Sequence, residues 1–224
     1  MKKWLSCLIP CLAVPAVIMG GVWLFAGKEY AWVSLCVAIL SCVPFFLHFE
    51  RHTNDTRRLI LVAVMIALSV AGRILFAPIP GFKPVTALVV ITAMYFGGEA
   101  GFMTGALTAV ISNFYFGQGP WTPFQMFSWG IVGLIAGWLA RPLRRSQWLL
   151  AVYGAFAGVL YSFLMDIWSV LWADGYFNLS RYWAAIASAS WFTVLYAASN
   201  VLFLLLLARL MGKILTRLIQ KYAL

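Results

Sequence analysis

The chain has 224 residues, 64% of them hydrophobic and 10% charged, with a formal net charge of +10. A soluble domain of this size needs far more charge to cover its surface, so composition excludes one. Apolar runs of roughly 17–25 residues recur, the length that crosses a bilayer core, and the basic excess sits at their ends, which points to membrane topology and away from nucleic-acid binding.

In/out alternation with polar turns, the mark of an outer-membrane barrel, is absent. The expected fold is an all-α polytopic membrane helical bundle of eight spans, near 8–26, 31–48, 59–76, 85–96, 102–115, 124–140, 148–172 and 183–210. The first two make an N-terminal two-helix hairpin, residues 1–50, that holds all four cysteines. Cys7, Cys11, Cys36 and Cys42 have no metal-ligand spacing and read as buried small hydrophobes. Lys2 and Lys3 open the chain in the manner of a signal peptide, but the apolar stretch is long and no small-x-small site closes it, so a retained helix is expected.

Residues 51–58 form a polar cytoplasmic linker, with His48 and His52 as solvated boundary residues, and 59–224 form a six-helix substrate-binding core. Spans four and five are short and joined by Gly97–Gly101; a single helix over 84–115 would give seven spans instead. With eight spans and both termini cytoplasmic, only Lys28, Lys83 and Arg181 lie outside, and Arg73 sits near the outer end of a span. Seven spans would put Arg141, Arg144 and Arg145 outside together, so the positive-inside rule favours the turn.

The outer loops of the core, 77–84, 116–123 and 173–180, carry prolines, glycines, aromatics, amides and hydroxyls, whereas the inner ones are basic or glycine-rich. Between Gly97 and Gly137, small residues let two helices approach closely around a polar, broken segment, Asn113 to Gln125. Irregular backbone shielded from lipid, with amides and aromatics converging, is how membrane proteins build a pocket for a small polar molecule. Asn113 and Tyr115 end one helix; Trp121, Thr122, Pro123 and Gln125 start the next, with Thr122 placed to cap it. Trp121 and Phe124 offer stacking faces or interfacial anchors, and Asn113, Gln118 and Gln125 offer donors and acceptors.

Ala63, Ala67 and Ala71 fall on one helical stripe, suited to internal packing or to docking of another helix. Arg73 and Asp166 are ionisable groups within spans, which pair with each other or face a ligand. Asn200 reads as an interhelical hydrogen bond. No catalytic, metal-binding, cofactor or ATP-binding motif is present, so energised uptake requires partners.

From about Arg58 to its end the chain resembles the substrate-binding S components of energy-coupling factor (ECF) vitamin transporters. The resemblance rests on Ala63-x-x-x-Ala67, Ala71-Gly72-Arg73, Pro80-Gly81-Phe82-Lys83-Pro84, Gly97 to Gly105, and Asn113 to Met126. It implies a non-enzymatic capture subunit with six core helices and an outer pocket closed by loops one, three and five. It also implies docking of the alanine stripe onto a transmembrane T component that works with two ATPases, and toppling of the subunit to release a vitamin-like substrate inside. The expected substrate-binding residues are Arg73, Phe82, Lys83, Asn113, Tyr115, Gln118, Trp121, Thr122, Gln125 and Asp166. The Gly-Gln-Gly-Pro-Trp-Thr-Pro pattern of 117–123 looks most like the group linked to cobalamin or its precursors. The N-terminal hairpin departs from a minimal S component. Two other readings stay open: an intramembrane enzyme acting on a lipid or isoprenoid through Asp166 and Arg73, and a scaffold without a ligand. One carboxylate and one arginine do not readily supply acid, base and metal binding together.

Overall fold

The computed structural model describes residues 8–25, 30–49 and 55–222. Lys2, Lys3, Cys7, Lys28, Arg51 and His52 therefore lie outside the described residues. A π-helical turn, Ile9–Ala13, leads into α1 (Val14–Phe25), followed by α2 (Tyr30–Phe49), α3 (Asp55–Leu75), α4 (Val85–Phe96), α5 (Gly98–Phe116), α6 (Thr122–Trp138), α7 (Ala140–Arg145), α8 (Gln147–Asp174) and α9 (Leu179–Tyr222). Among the described residues there is no strand, as an all-α membrane bundle requires. Helix α3 starts at Asp55, inside the stretch read as a linker.

Among the described residues, three helical segments, Thr56–Leu75, Gln147–Asp174 and Leu179–Tyr222, are long and apolar enough to cross a membrane. Helix α4 is not: its 12 residues reach about 18 Å, against about 30 Å of hydrocarbon. Every α4 residue except Tyr95 is buried, with α3, α5, α6 and α9 packed round it. A helix sheathed by protein does not need bilayer length. The surface left for lipid is made of exposed apolar side chains such as Trp23, Trp32, Leu68, Leu75, Trp191 and Leu206.

Helices α4 and α5 form a tight hairpin. The break is narrower than the Gly97–Gly101 turn expected from sequence: Gly97 alone, at φ +94°, reverses the chain, and Gly98–Gly101 already belong to α5. That φ suits glycine because a Cβ would crowd the backbone. Across the turn, a Cβ on Gly101 would meet Ala93 Cβ at 2.5 Å, so no larger residue fits there.

The α5–α6 seam follows from the same small residues. A Cβ on Gly133 would stand 2.5 Å from the Gly101 carbonyl carbon, and Gly98 and Gly105 face Gly137 and the Trp129 backbone in the same way. The two backbones touch along about two turns, a mode of packing that dispersion favours when lipid supplies no hydrophobic drive between helices. The N-terminal hairpin packs beside the core: Val14, Ile18, Val33 and Val37 share an apolar cluster with Phe102, Ala106, Phe124 and Met126.

Closure of this seam predicts that Gly133→Val lowers the thermal unfolding temperature of the detergent-purified chain, with an overpacking cost of about 1–3 kcal/mol. Gly20→Ala, inside α1 at a position with nothing within 4 Å, does not lower it and raises it slightly if anything, since Ala favours a helix over Gly by about 0.5–1 kcal/mol; unfolding followed by tryptophan fluorescence checks both.

Candidate functional site

Loops 76–84, 117–121 and 175–178 gather at one end of the bundle, here the loop end; the arginines of α7 and the last third of α9 lie at the other, the basic end. At the loop end is a cavity of about 160 Å³ lined by Arg73 of α3, Gly81 and Lys83 of the α3–α4 loop, Val85 and Thr86 of α4, Gln125 and Trp129 of α6, Tyr161 of α8, and Tyr196 and Asn200 of α9.

Arg73, in the last turn of α3, is 8% exposed. Its Nη1 donates to Ser112 Oγ and, at 2.7 Å, to Asn113 Oδ1. Its guanidinium carbon lies 4.5 Å from the Phe116 ring centroid and 5.0 Å from that of Trp129. Neutral oxygens and two π faces thus hold the cation. Arg73 and Asp166 form no ion pair; the one pair among the described residues is Arg181–Asp174. Nε of Arg73 has no partner there either.

Arg73 sets the orientation of everything that follows, because arginine only donates. Asn113 must present its oxygen to Arg73, so its amide nitrogen faces Thr122 Oγ1 (3.0 Å) and Gln125 Oε1 (2.9 Å). Gln125 must then present its own nitrogen to Tyr161 Oη, at 3.0 Å. The Tyr161 oxygen accepts, which leaves its proton to donate into the cavity. This relay ties α3, α5, α6 and α8 together around one space.

Tyr161 also stacks on Trp129, with centroids 5.3 Å apart and planes at 16°, and meets Tyr196 edge-on at 5.4 Å. Asn200 is 4% exposed and lines the cavity, and its amide has no hydrogen-bond partner among the described residues. The expected interhelical bond of Asn200 is therefore not made. Lys83 N–H donates to Ser199 Oγ at 3.0 Å, which fixes the loop to α9, and its ammonium lies 5.7 Å from the Phe116 centroid. Burial, and then the charge of Arg73, hold the Lys83 ammonium below the usual lysine range.

Of the residues expected from sequence, Arg73, Lys83 and Gln125 line the cavity, and Asn113 and Thr122 support it from behind. Thr122 is not the helix cap: it is the first residue of α6, and its hydroxyl bonds Asn113, the Gly119 N–H and Gln118 Oε1 instead. Gln118 also donates to the Val110 carbonyl at 2.7 Å, so it pins the loop. Phe82 packs with Phe76 and Phe203, Trp121 meets Trp168 edge-on, and Tyr115 is 65% exposed beside Phe116. Asp166 is buried on α8, one turn from the Ser162 that bonds Thr193 of α9, and its Oδ2 has no partner among the described residues. These four lie outside the cavity lining. Trp129, Tyr161 and Tyr196 were missed. For Trp129 a signal existed: Thr122, Gln125 and Trp129 share one face of α6.

A family model described as "ECF-type riboflavin transporter, S component" matches residues 53–217. No curated protein and no solved structure matches the chain. S components of this kind are not enzymes; they work in the membrane with a T component and ATPases and bind small vitamin-like substrates. With nearly three quarters of its length matched and a polar cavity at one end of a membrane bundle, the chain belongs to the ECF-type riboflavin transporter S-component family.

Proposed function

We propose that this chain captures a flat, hydrogen-bonding vitamin of the flavin class at the loop end of the bundle and delivers it through the T component and two ATPases. The observation that carries the reading is a set of free polar groups round one space. The Tyr161 proton, the Asn200 amide and the Arg73 cation, whose Nε has no partner among the described residues, all border the cavity, against the stacked Trp129–Tyr161 wall. A ring system with carbonyl acceptors matches donors set beside aromatic faces.

At about 160 Å³ the cavity is smaller than a typical ligand pocket, roughly 300–1,000 Å³, so substrate entry requires it to widen. Size also bears on the cobalamin-related alternative. A corrinoid is far larger than a flavin, and the 117–123 motif that suggested it bonds mainly to itself, through Gln118, Gly119 and Thr122. The family description and the cavity both favour the smaller ring.

Ala63, Ala67 and Ala71 are all exposed along α3, beside exposed Val64 and Leu68. A stripe that packs against nothing within the chain supports docking to the T component. The clustering of Arg141, Arg144, Arg145, Arg209, Lys213 and Arg217 at the basic end supports a cytoplasmic position for that end.

Riboflavin added to the purified chain is expected to quench tryptophan fluorescence without ATP. Failure of riboflavin, corrinoids, queuosine precursors, folates and pantothenate alike would sink the capture reading. Tyr161→Phe should weaken binding about fivefold, the worth of one neutral hydrogen bond, and Trp129→Ala by tenfold or more. Asn113→Ala should lose binding together with about 1–3 kcal/mol of stability, because it takes an acceptor from buried Arg73 and a donor from Thr122 Oγ1 and Gln125 Oε1. Ala67→Leu should abolish uptake in reconstituted vesicles while leaving riboflavin affinity intact; equal loss of both would mean that the stripe packs internally.

A further inference from the structure

At the basic end, remote from the substrate cavity, α4, α7, α8 and α9 enclose a groove of about 460 Å³. Four cations line it: Arg144, Arg209, Lys213 and Arg217. None has a carboxylate within ion-pair distance among the described residues. Arg144 instead lies 5.5 Å from the Tyr95 ring centroid, and Arg209 donates to Gln147 Oε1 at 2.6 Å. The floor is apolar, made by Met94, Leu143 and Leu150. Gly212 admits the Tyr95 hydroxyl against the α9 backbone, where a Cβ would stand 2.5 Å from it.

Depth is set by two rings. Trp138 and Trp148, which flank α7, are 57% and 76% exposed, the behaviour of interfacial anchors. Along α9, Gly212 lies about 18 Å beyond the Asn200 of the substrate cavity. The groove therefore opens where lipid head groups sit, and it combines what a phospholipid presents there: a phosphate for guanidinium and ammonium donors, and glycerol and upper acyl carbons for an apolar floor. Free phosphate would leave that floor wet, and a protein partner would need an acidic segment at head-group depth.

We propose that this groove is a binding site for the head group of an anionic phospholipid. The test is native mass spectrometry of the full chain purified in detergent and offered equal amounts of dioleoylphosphatidylglycerol and dioleoylphosphatidylcholine. The wild-type chain is expected to retain phosphatidylglycerol selectively. Arg209→Gln with Lys213→Gln should cut that selectivity on the order of tenfold, whereas Arg141→Gln with Arg145→Gln, an equal loss of charge outside the groove, changes it less than about twofold. Arg217→Gln, at an exposed position, is the second groove variant should the first fail to fold, and is expected to lower selectivity severalfold. Equal retention of both lipids, or an equal fall in both double variants, would overturn the assignment. So would displacement of phosphatidylglycerol by millimolar inorganic phosphate, or selectivity that arises only with a T component bound.

Discussion

A guanidinium buried among helices, with no carboxylate to meet it, governs the loop end of this molecule. At the centre of a span an uncompensated cation costs about 2.5–3.5 kcal/mol, and burial among helices near a span's end still calls for compensation. Here the compensation is neutral: Ser112, Asn113 and the faces of Phe116 and Trp129. Those groups come from the end of α5 and the first half of α6, so holding the charge also holds three helices in register. Because the cation accepts nothing, it fixes the direction of each hydrogen bond out to Tyr161.

That arrangement depends in turn on how closely α5 and α6 approach. Glycines at 98, 101, 105, 133 and 137 remove the side chains that would hold the backbones apart. With the seam closed, Asn113 reaches across to Thr122 and Gln125 at normal hydrogen-bond lengths. The short α4 completes the frame: shielded on nearly every side, it delivers Val85 and Thr86 to the cavity without having to span anything.

Much of this was legible in the sequence. Charge-poor composition gave the membrane bundle, positive-inside counting gave the α4–α5 reversal, and the amide-rich segment after Asn113 gave the neighbourhood of the site. The aromatic wall was not legible. Tyr161 and Tyr196 sit in long apolar helices among many other aromatics, and nothing local marks the two that turn inward. Gln118 and Thr122 looked like ligand groups because a loop that folds on its own hydrogen bonds needs the same residue types as one that binds a substrate. Arg73 and Asp166, the two charges most tempting to pair, do not: Arg73 bonds Ser112 and Asn113 of α5, and Asp166 Oδ2 has no partner among the described residues.

The length of α9 has a mechanical consequence. Its 44 residues make a rod of about 66 Å, roughly twice the hydrocarbon thickness. Tyr196 and Asn200 ride near its middle, and Gly212 to Arg217 ride on its far arm. To the extent that it moves as one rod, pivoting it by about 10° carries a tip about 33 Å from the fulcrum through nearly 6 Å. Any rearrangement of side chains that leans α9 where the vitamin would rest is therefore geared up into a larger sweep at the opposite membrane face.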